Sequence, residues 1–117
     1  CLIIDKDAMC KQVRSDSEAC YISEPGKTCP TEILETLAKY NAEGRPIWKP
    51  MHMQPIYRMN PFVTIGGDGR ARPNAYIAGG GTEVGGGISN RGLCLPSDIK
   101  MSADEQDNII EIIKSCF

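Results

Sequence analysis

Histidine and tryptophan each occur once in this sequence, as His52 and Trp48, and aromatic residues make up only 6% of it. So sparse an aromatic set excludes a base-stacking RNA platform. A single histidine, beside cysteines that form no C-x-x-C pair, excludes the common zinc frameworks. Nor is there a block of one charge. The formal net charge is -2, and acidic and basic residues are interleaved throughout. That leaves no basic footprint for nucleic acid and no polybasic anchor for a membrane surface. No apolar run approaches the roughly 20 residues that span a bilayer, and no secretory leader is recognisable. An initiator methionine is also missing. Cys1-Leu2-Ile3-Ile4-Asp5 reads as a strand already under way, and the chain is expected to be cut from something longer.

What is present suits one domain over residues 1–117. The chain is 41% hydrophobic and 24% charged, ordinary globular values. A domain of this size buries roughly two-thirds of its unfolded surface, enough for one modest core. Cys1, Cys10, Cys20, Cys29, Cys94 and Cys116 sit in apolar strings such as Gly92-Leu93-Cys94-Leu95-Pro96. In such strings a thiol behaves as a small hydrophobe. These cysteines are expected to be free and mostly buried, which favours a reducing cytoplasm.

Along the chain, residues 1–5 are apolar and β-branched and read as a buried strand. Residues 6–29 are polar and irregular, with Glu24-Pro25-Gly26-Lys27 as a turn. A helix is predicted from Pro30 to Glu43, capped by Thr28 or Cys29, with Pro30 and Glu32 suiting its first turn. Ile33, Leu34, Leu37 and Ala38 would form its buried stripe, and Gly44 its C-cap. Arg45 to Met53 reads as extended chain. Pro46 and Pro50 confine it to a sheet edge or a binding segment. Residues 58–87 form a long excursion holding nine of the 12 glycines. A loop of that length is usually functional or mobile. Residues 92–96 read as a second buried strand. Ser102 and Glu105 form an S-x-x-E capping box ahead of a final helix. Its apolar face would carry Ile109, Ile110, Ile113, Cys116 and Phe117. Helices and strands alternate without repeats, which implies a small α/β (α+β) layer structure.

The densest chemistry lies in Arg45-Pro46-Ile47-Trp48-Lys49-Pro50-Met51-His52-Met53-Gln54-Pro55. Prolines stiffen the segment and lower the entropy cost of presenting its side chains. Arg45 and Lys49 suit phosphates, Trp48 offers a stacking face, and His52 and Gln54 suit hydroxyl groups or proton donation. The plainer alternative is an amphipathic edge strand with Trp48 packed into the core. The glycine clusters Gly66-Gly67-Asp68-Gly69 and Gly79-Gly80-Gly81 lack the following G-K-[ST] of a P-loop. Asp68-Gly69 reads as a tight turn.

The segment Arg45 to Gln54 resembles the R-P-[LI]-W-K-P-[ML]-H-[LM]-Q motif of the DegT/StrS-type sugar-nucleotide aminotransferases. Arg91-Gly92-Leu93-Cys94-Leu95-Pro96-Ser97 and the closing helix Met101 to Phe117 agree with that family in the same order. The opening strand and the Pro30-Thr31-Glu32-Ile33-Leu34 helix also fall where the family has a strand and a helix. The resemblance thus covers essentially the whole chain. Gly85-Gly86-Gly87 departs from it, because the family has a short helix there and three glycines weaken one from Val84 to Asn90 by roughly 1 kcal/mol each.

The resemblance implies a C-terminal small domain of a fold-type-I aminotransferase: a small, mainly antiparallel sheet with helices on one face. It implies pyridoxal phosphate in the intact enzyme, bound by a large domain that this sequence lacks, and none bound to this chain alone. The cofactor-anchoring lysine, the carboxylate for the pyridinium nitrogen and the phosphate cup would come from that domain. No catalytic residue is therefore expected here. Trp48, Lys49, His52 and Gln54 would face a nucleotide-sugar substrate, and Arg45 would join them or brace the segment. Implied partners are a keto-sugar nucleotide, an amino-acid donor such as glutamate, the chain's own large domain and a second subunit in a homodimer. The products would feed surface-glycan synthesis. A non-catalytic sugar-nucleotide-binding or protein-interaction module would carry the same motifs and is the rival reading.

Overall fold

Leu93 has no solvent exposure, and it forms a buried core with Ile4, Ile33 and Leu37. The computed structural model describes residues 1–14, 19–57 and 84–117. Two compact units divide the chain, one comprising Cys1–Pro46 with Arg91–Phe117 and the other Ile47–Asn90.

The first unit holds a three-stranded antiparallel sheet in the order β1-β5-β4. Strand β5 (Gly92–Cys94) is central. It pairs Leu93 with Leu2 of β1 (Leu2–Ile3) on one side and with Pro46 of β4 (Arg45–Pro46) on the other. Proline lacks an N–H to donate, so β4 occupies an edge, as the sequence requires. The strands are shorter than expected: residues 92–96 contribute three strand residues, and Arg45 to Met53 contributes two. Strand β1 is an edge as well, and Ile3 is exposed, so burial in this string centres on Ile4. Arg91 secures the seam, its Nη1 donating to the Ile4 carbonyl at 2.7 Å while Ile4 N–H donates to the Arg91 carbonyl at 3.0 Å.

Residues 6–29 are more regular than their polarity suggests. Strands β2 (Lys11–Arg14) and β3 (Ala19–Ile22) form an antiparallel hairpin with Gln12 opposite Tyr21. The Tyr21 hydroxyl donates to Glu35, and Ser23 and Thr28 both donate to Glu32, fastening the hairpin region to the next helix. Desolvation and the Glu35 carboxylate push the Tyr21 phenol up to about 12. The turn at Glu24–Lys27 forms as predicted. Lys27 N–H donates to the Glu24 carbonyl at 3.0 Å, and Gly26 takes a φ of +76° that a side chain would resist.

Helix α1 (Pro30–Lys39) begins at Cys29, whose side chain makes no capping bond. It ends at Tyr40 rather than Glu43, because Asn41 turns left-handed at φ 58° and breaks the helical hydrogen bonding. Gly44 is therefore not the C-cap. Ile33 and Leu37 are buried and Leu34 half-buried, whereas Ala38 is exposed. The last helix, α3 (Ala103–Lys114), starts at a complete capping box. Ser102 Oγ accepts from Glu105 N–H, and Glu105 accepts from Ser102 N–H at 2.8 Å. Its packed stripe is Ile109, Ile112, Ile113 and Cys116, one helical face. Ile110 and Phe117, expected in that stripe, are exposed. Helices α1 and α3 pack together over the Leu93 core. The result is a small α+β fold with antiparallel sheets.

In the second unit, the described residues form two 3-10 turns, Met51–Met53 and Pro55–Tyr57, and most of helix α2 (Val84–Arg91). That helix forms despite Gly85, Gly86 and Gly87, contrary to the expectation from glycine propensity. The excursion predicted over 58–87, with its Asp68-Gly69 turn, lies outside the described residues up to position 83.

Candidate functional site

Prolines set the geometry of the candidate segment. Pro50 at φ -53° caps the turn Met51–Met53, and Pro55 opens the turn Pro55–Tyr57. Met53 N–H donates to the Pro50 carbonyl, Gln54 N–H to Met51, and Tyr57 N–H to Gln54, each at 2.9 to 3.0 Å. The backbone therefore winds rather than extends from Met51 onward. A continuous strand from Arg45 to Met53 does not form.

Within this winding segment the side chains divide sharply. Met53 is 2% exposed and anchors it, whereas Trp48 is 81% exposed. The reading of Trp48 as a core residue is thereby excluded. Met51, Ile56 and Tyr57 are exposed as well, so the segment presents several apolar side chains to water. Lys49 is exposed, and His52 and Gln54 are half-buried. The Gln54 side-chain amide donates to the Lys49 carbonyl at 3.1 Å, bringing those two residues together. An exposed indole beside a lysine, with an imidazole and an amide in the same ten residues, is a suitable reader of a ring joined to phosphates.

Arg45 is placed differently. It belongs to β4 in the first unit, and its guanidinium pairs with Glu43 at 2.6 Å on the exposed surface. An exposed pair of this kind contributes little stability, so its effect is to orient the guanidinium.

Sequence reasoning gave no sign of a cleft of about 500 Å³ in the first unit, lined by Tyr40, Asn41, Glu43, Asp98, Lys100 and Glu105 among others. Its carboxylates already have internal partners. Glu43 holds Arg45, Asp98 accepts from Lys100 N–H, and Glu105 completes the helix cap. The cleft is a by-product of how α1 ends and α3 begins, and the sequence signal for it is the pair of caps.

Every lysine of the sequence lies among the described residues. All are exposed except Lys27, which is half-buried and paired with Glu24 at 3.0 Å. A lysine that condenses with a carbonyl cofactor needs a desolvated or otherwise depressed ammonium. None of the described lysines is buried, so no amine is held out of water and the residues present do not fit pyridoxal phosphate.

The chain is 33% identical over 88 residues to the Bacillus subtilis (strain 168) protein named "Putative pyridoxal phosphate-dependent aminotransferase EpsN". The match covers 75% of this chain but only 19% of that protein. The chain thus spans about a fifth of the length of the relative that it matches. No family model matches the sequence. No solved structure matches it either. The similarity supports an aminotransferase-related domain. Among the described residues, no helix is long and apolar enough to cross a membrane.

Proposed function

We propose that this chain is the small C-terminal domain of a pyridoxal-phosphate-dependent aminotransferase of the DegT/StrS type, and that it grips a keto-sugar nucleotide. The exposure of Trp48 carries this reading. A tryptophan in a core needs no ligand, whereas one left 81% in water beside Lys49 offers a face on which a nucleobase or sugar ring can stack. Lys49 meets the diphosphate as a point charge. His52 and Gln54 bond the sugar hydroxyls, and Met53 holds the winding segment in place. Arg45, at the start of the same stretch of sequence, is oriented by its pair with Glu43.

The cofactor lies in the large domain of the intact enzyme, where it supplies the electron sink for amino transfer. This domain excludes water from the substrate side and positions the sugar. Glutamate serves as donor, the intact enzyme is a cytoplasmic homodimer, and its amino sugars enter surface-glycan synthesis.

The single tryptophan makes the test direct. The chain is titrated with a panel of keto-sugar nucleotides while Trp48 emission is followed. A saturable change that Lys49→Ala weakens at least tenfold is expected. Transamination, read as 2-oxoglutarate from glutamate, is expected only after a separately expressed large domain is added. No saturable binding by the chain or by the reconstituted enzyme overturns the reading. Saturable binding without transamination after reconstitution favours the non-catalytic binding module.

A further inference from the structure

The register of the sheet sets two thiols side by side. Leu2 pairs with Leu93 and Ile3 with Gly92 in the antiparallel β1–β5 ladder, so one step further places Cys1 opposite Cys94. Their sulfurs are 3.4 Å apart. A disulfide has an S–S length of about 2.05 Å, so closure asks for a movement of only about 1.4 Å. Residues facing each other across an antiparallel ladder have Cα atoms about 4.5–5.5 Å apart, inside the range a disulfide bridges. Strand β1 is two residues long and lies at the sheet edge, where so small an adjustment meets little resistance.

We propose that Cys1 and Cys94 form a modification site, a thiol pair that hydrogen peroxide oxidises to a reversible disulfide joining β1 to β5. The exposed Cys1 thiolate attacks one peroxide oxygen and breaks the O–O bond. This leaves a sulfenic acid and releases hydroxide, which takes up a proton to become water. The Cys94 thiolate then attacks the Cys1 sulfur, forming the S–S bond and expelling the sulfenic oxygen as hydroxide, protonated to a second water. Two thiols are oxidised by two electrons in all, and one peroxide is reduced to two waters.

The same fold holds a second adjacent pair that should stay inert. Cys10 and Cys29 are buried, at 4% and 0% exposure. Burial first, and then the neighbouring Cys29 thiol, pushes Cys10 up to about 11. Little thiolate forms there near neutral pH, and peroxide has no access. Selectivity therefore follows from exposure, since both pairs are close.

To test this, the freshly reduced full chain is exposed to hydrogen peroxide at low protein concentration, alkylated and digested with trypsin. Cleavage after Lys6, Arg91 and Lys100 leaves Cys1 on the peptide ending at Lys6 and Cys94 on Gly92–Lys100, each with no other cysteine. The expected product is these two peptides joined and lighter by two hydrogens, with two of the six thiols lost and both restored by dithiothreitol. Cys1→Ser and Cys94→Ser should each abolish that product, and the peptide map of the unmodified chain decides the matter even if a variant folds poorly. Sulfinic acid at Cys1 without the crosslink, a crosslink to any other cysteine, a disulfide between chains, or six intact thiols overturns the proposal.

Discussion

Gly44 and Cys94 approach so closely that a Cβ on residue 44 would stand 3.2 Å from the Cys94 carbonyl oxygen. It would also stand 2.7 Å from Leu34 Cδ2 and 3.3 Å from Leu37 Cδ1. The leucine ends can turn away, but the strand carbonyl belongs to the β4–β5 ladder and cannot. Gly44→Ala should therefore destabilise the fold by about 1–3 kcal/mol, the usual cost of overpacking. Chemical denaturation of the two proteins measures it. An unchanged midpoint would mean that β4 shifts freely.

Gly87 is the opposite case. Among the described residues a Cβ there meets nothing within 4 Å, and the residue sits inside helix α2. Gly87→Ala should stabilise by about 0.5–1 kcal/mol, because alanine restricts the unfolded chain without clashing in the helix. The same denaturation experiment reads it, with helical ellipticity unchanged or slightly raised. A loss of stability would show that position 87 is not helical in solution.

The cap of α3 carries a pH dependence whose sign is fixed. Bonds first from Ser102 N–H and then from its hydroxyl hold the Glu105 carboxyl below its ordinary value of 4.5. A carboxylate depressed in the folded state adds stability that is present above the unfolded value and lost as pH falls through the folded one. Glu105→Gln should lower the melting temperature at neutral pH, and the gap to the parent should close in acid. Ser102→Ala removes the other half of the box and should cost about 1 kcal/mol. A gap that persists unchanged into strong acid would detach the effect from the Glu105 charge.

The parts of this fold legible in the sequence are those with local causes. Ser102 and Glu105 announce a cap four residues long, Pro30 marks a first turn, and Pro46 forces an edge, because each acts through its own backbone. The hairpin β2–β3 escaped because its strands are only four residues each, β2 is largely polar, and docking through Tyr21–Glu35 is a tertiary fact. The early end of α1 turns on Asn41 at φ 58°, where glycine would have been the obvious marker. The same limit applied to the site. Arg45, Trp48, Lys49, His52 and Gln54 were legible as a chemically dense string, but whether Trp48 faces core or water is a packing outcome that no spacing fixes.

That outcome supplies the last prediction, a contrast between two residues five positions apart. Trp48 is 81% exposed and Met53 is 2% exposed. If the segment is a ligand surface held by an internal anchor, truncating each should damage a different property. Trp48→Ala should change stability by no more than about 0.5 kcal/mol, the usual scale for surface positions. It should still weaken sugar-nucleotide binding at least tenfold, because a stacked ring contributes roughly 1–3 kcal/mol per base. Met53→Ala should do the reverse at first sight, costing about 2–5 kcal/mol of stability through the cavity it leaves. Its affinity should fall only as far as the segment loses its winding. Calorimetric titration gives affinity without relying on tryptophan emission, and denaturant unfolding gives stability, so both variants can be placed on both axes. If Trp48→Ala costs as much stability as Met53→Ala and leaves affinity untouched, the indole is a packing residue and the ligand surface lies elsewhere.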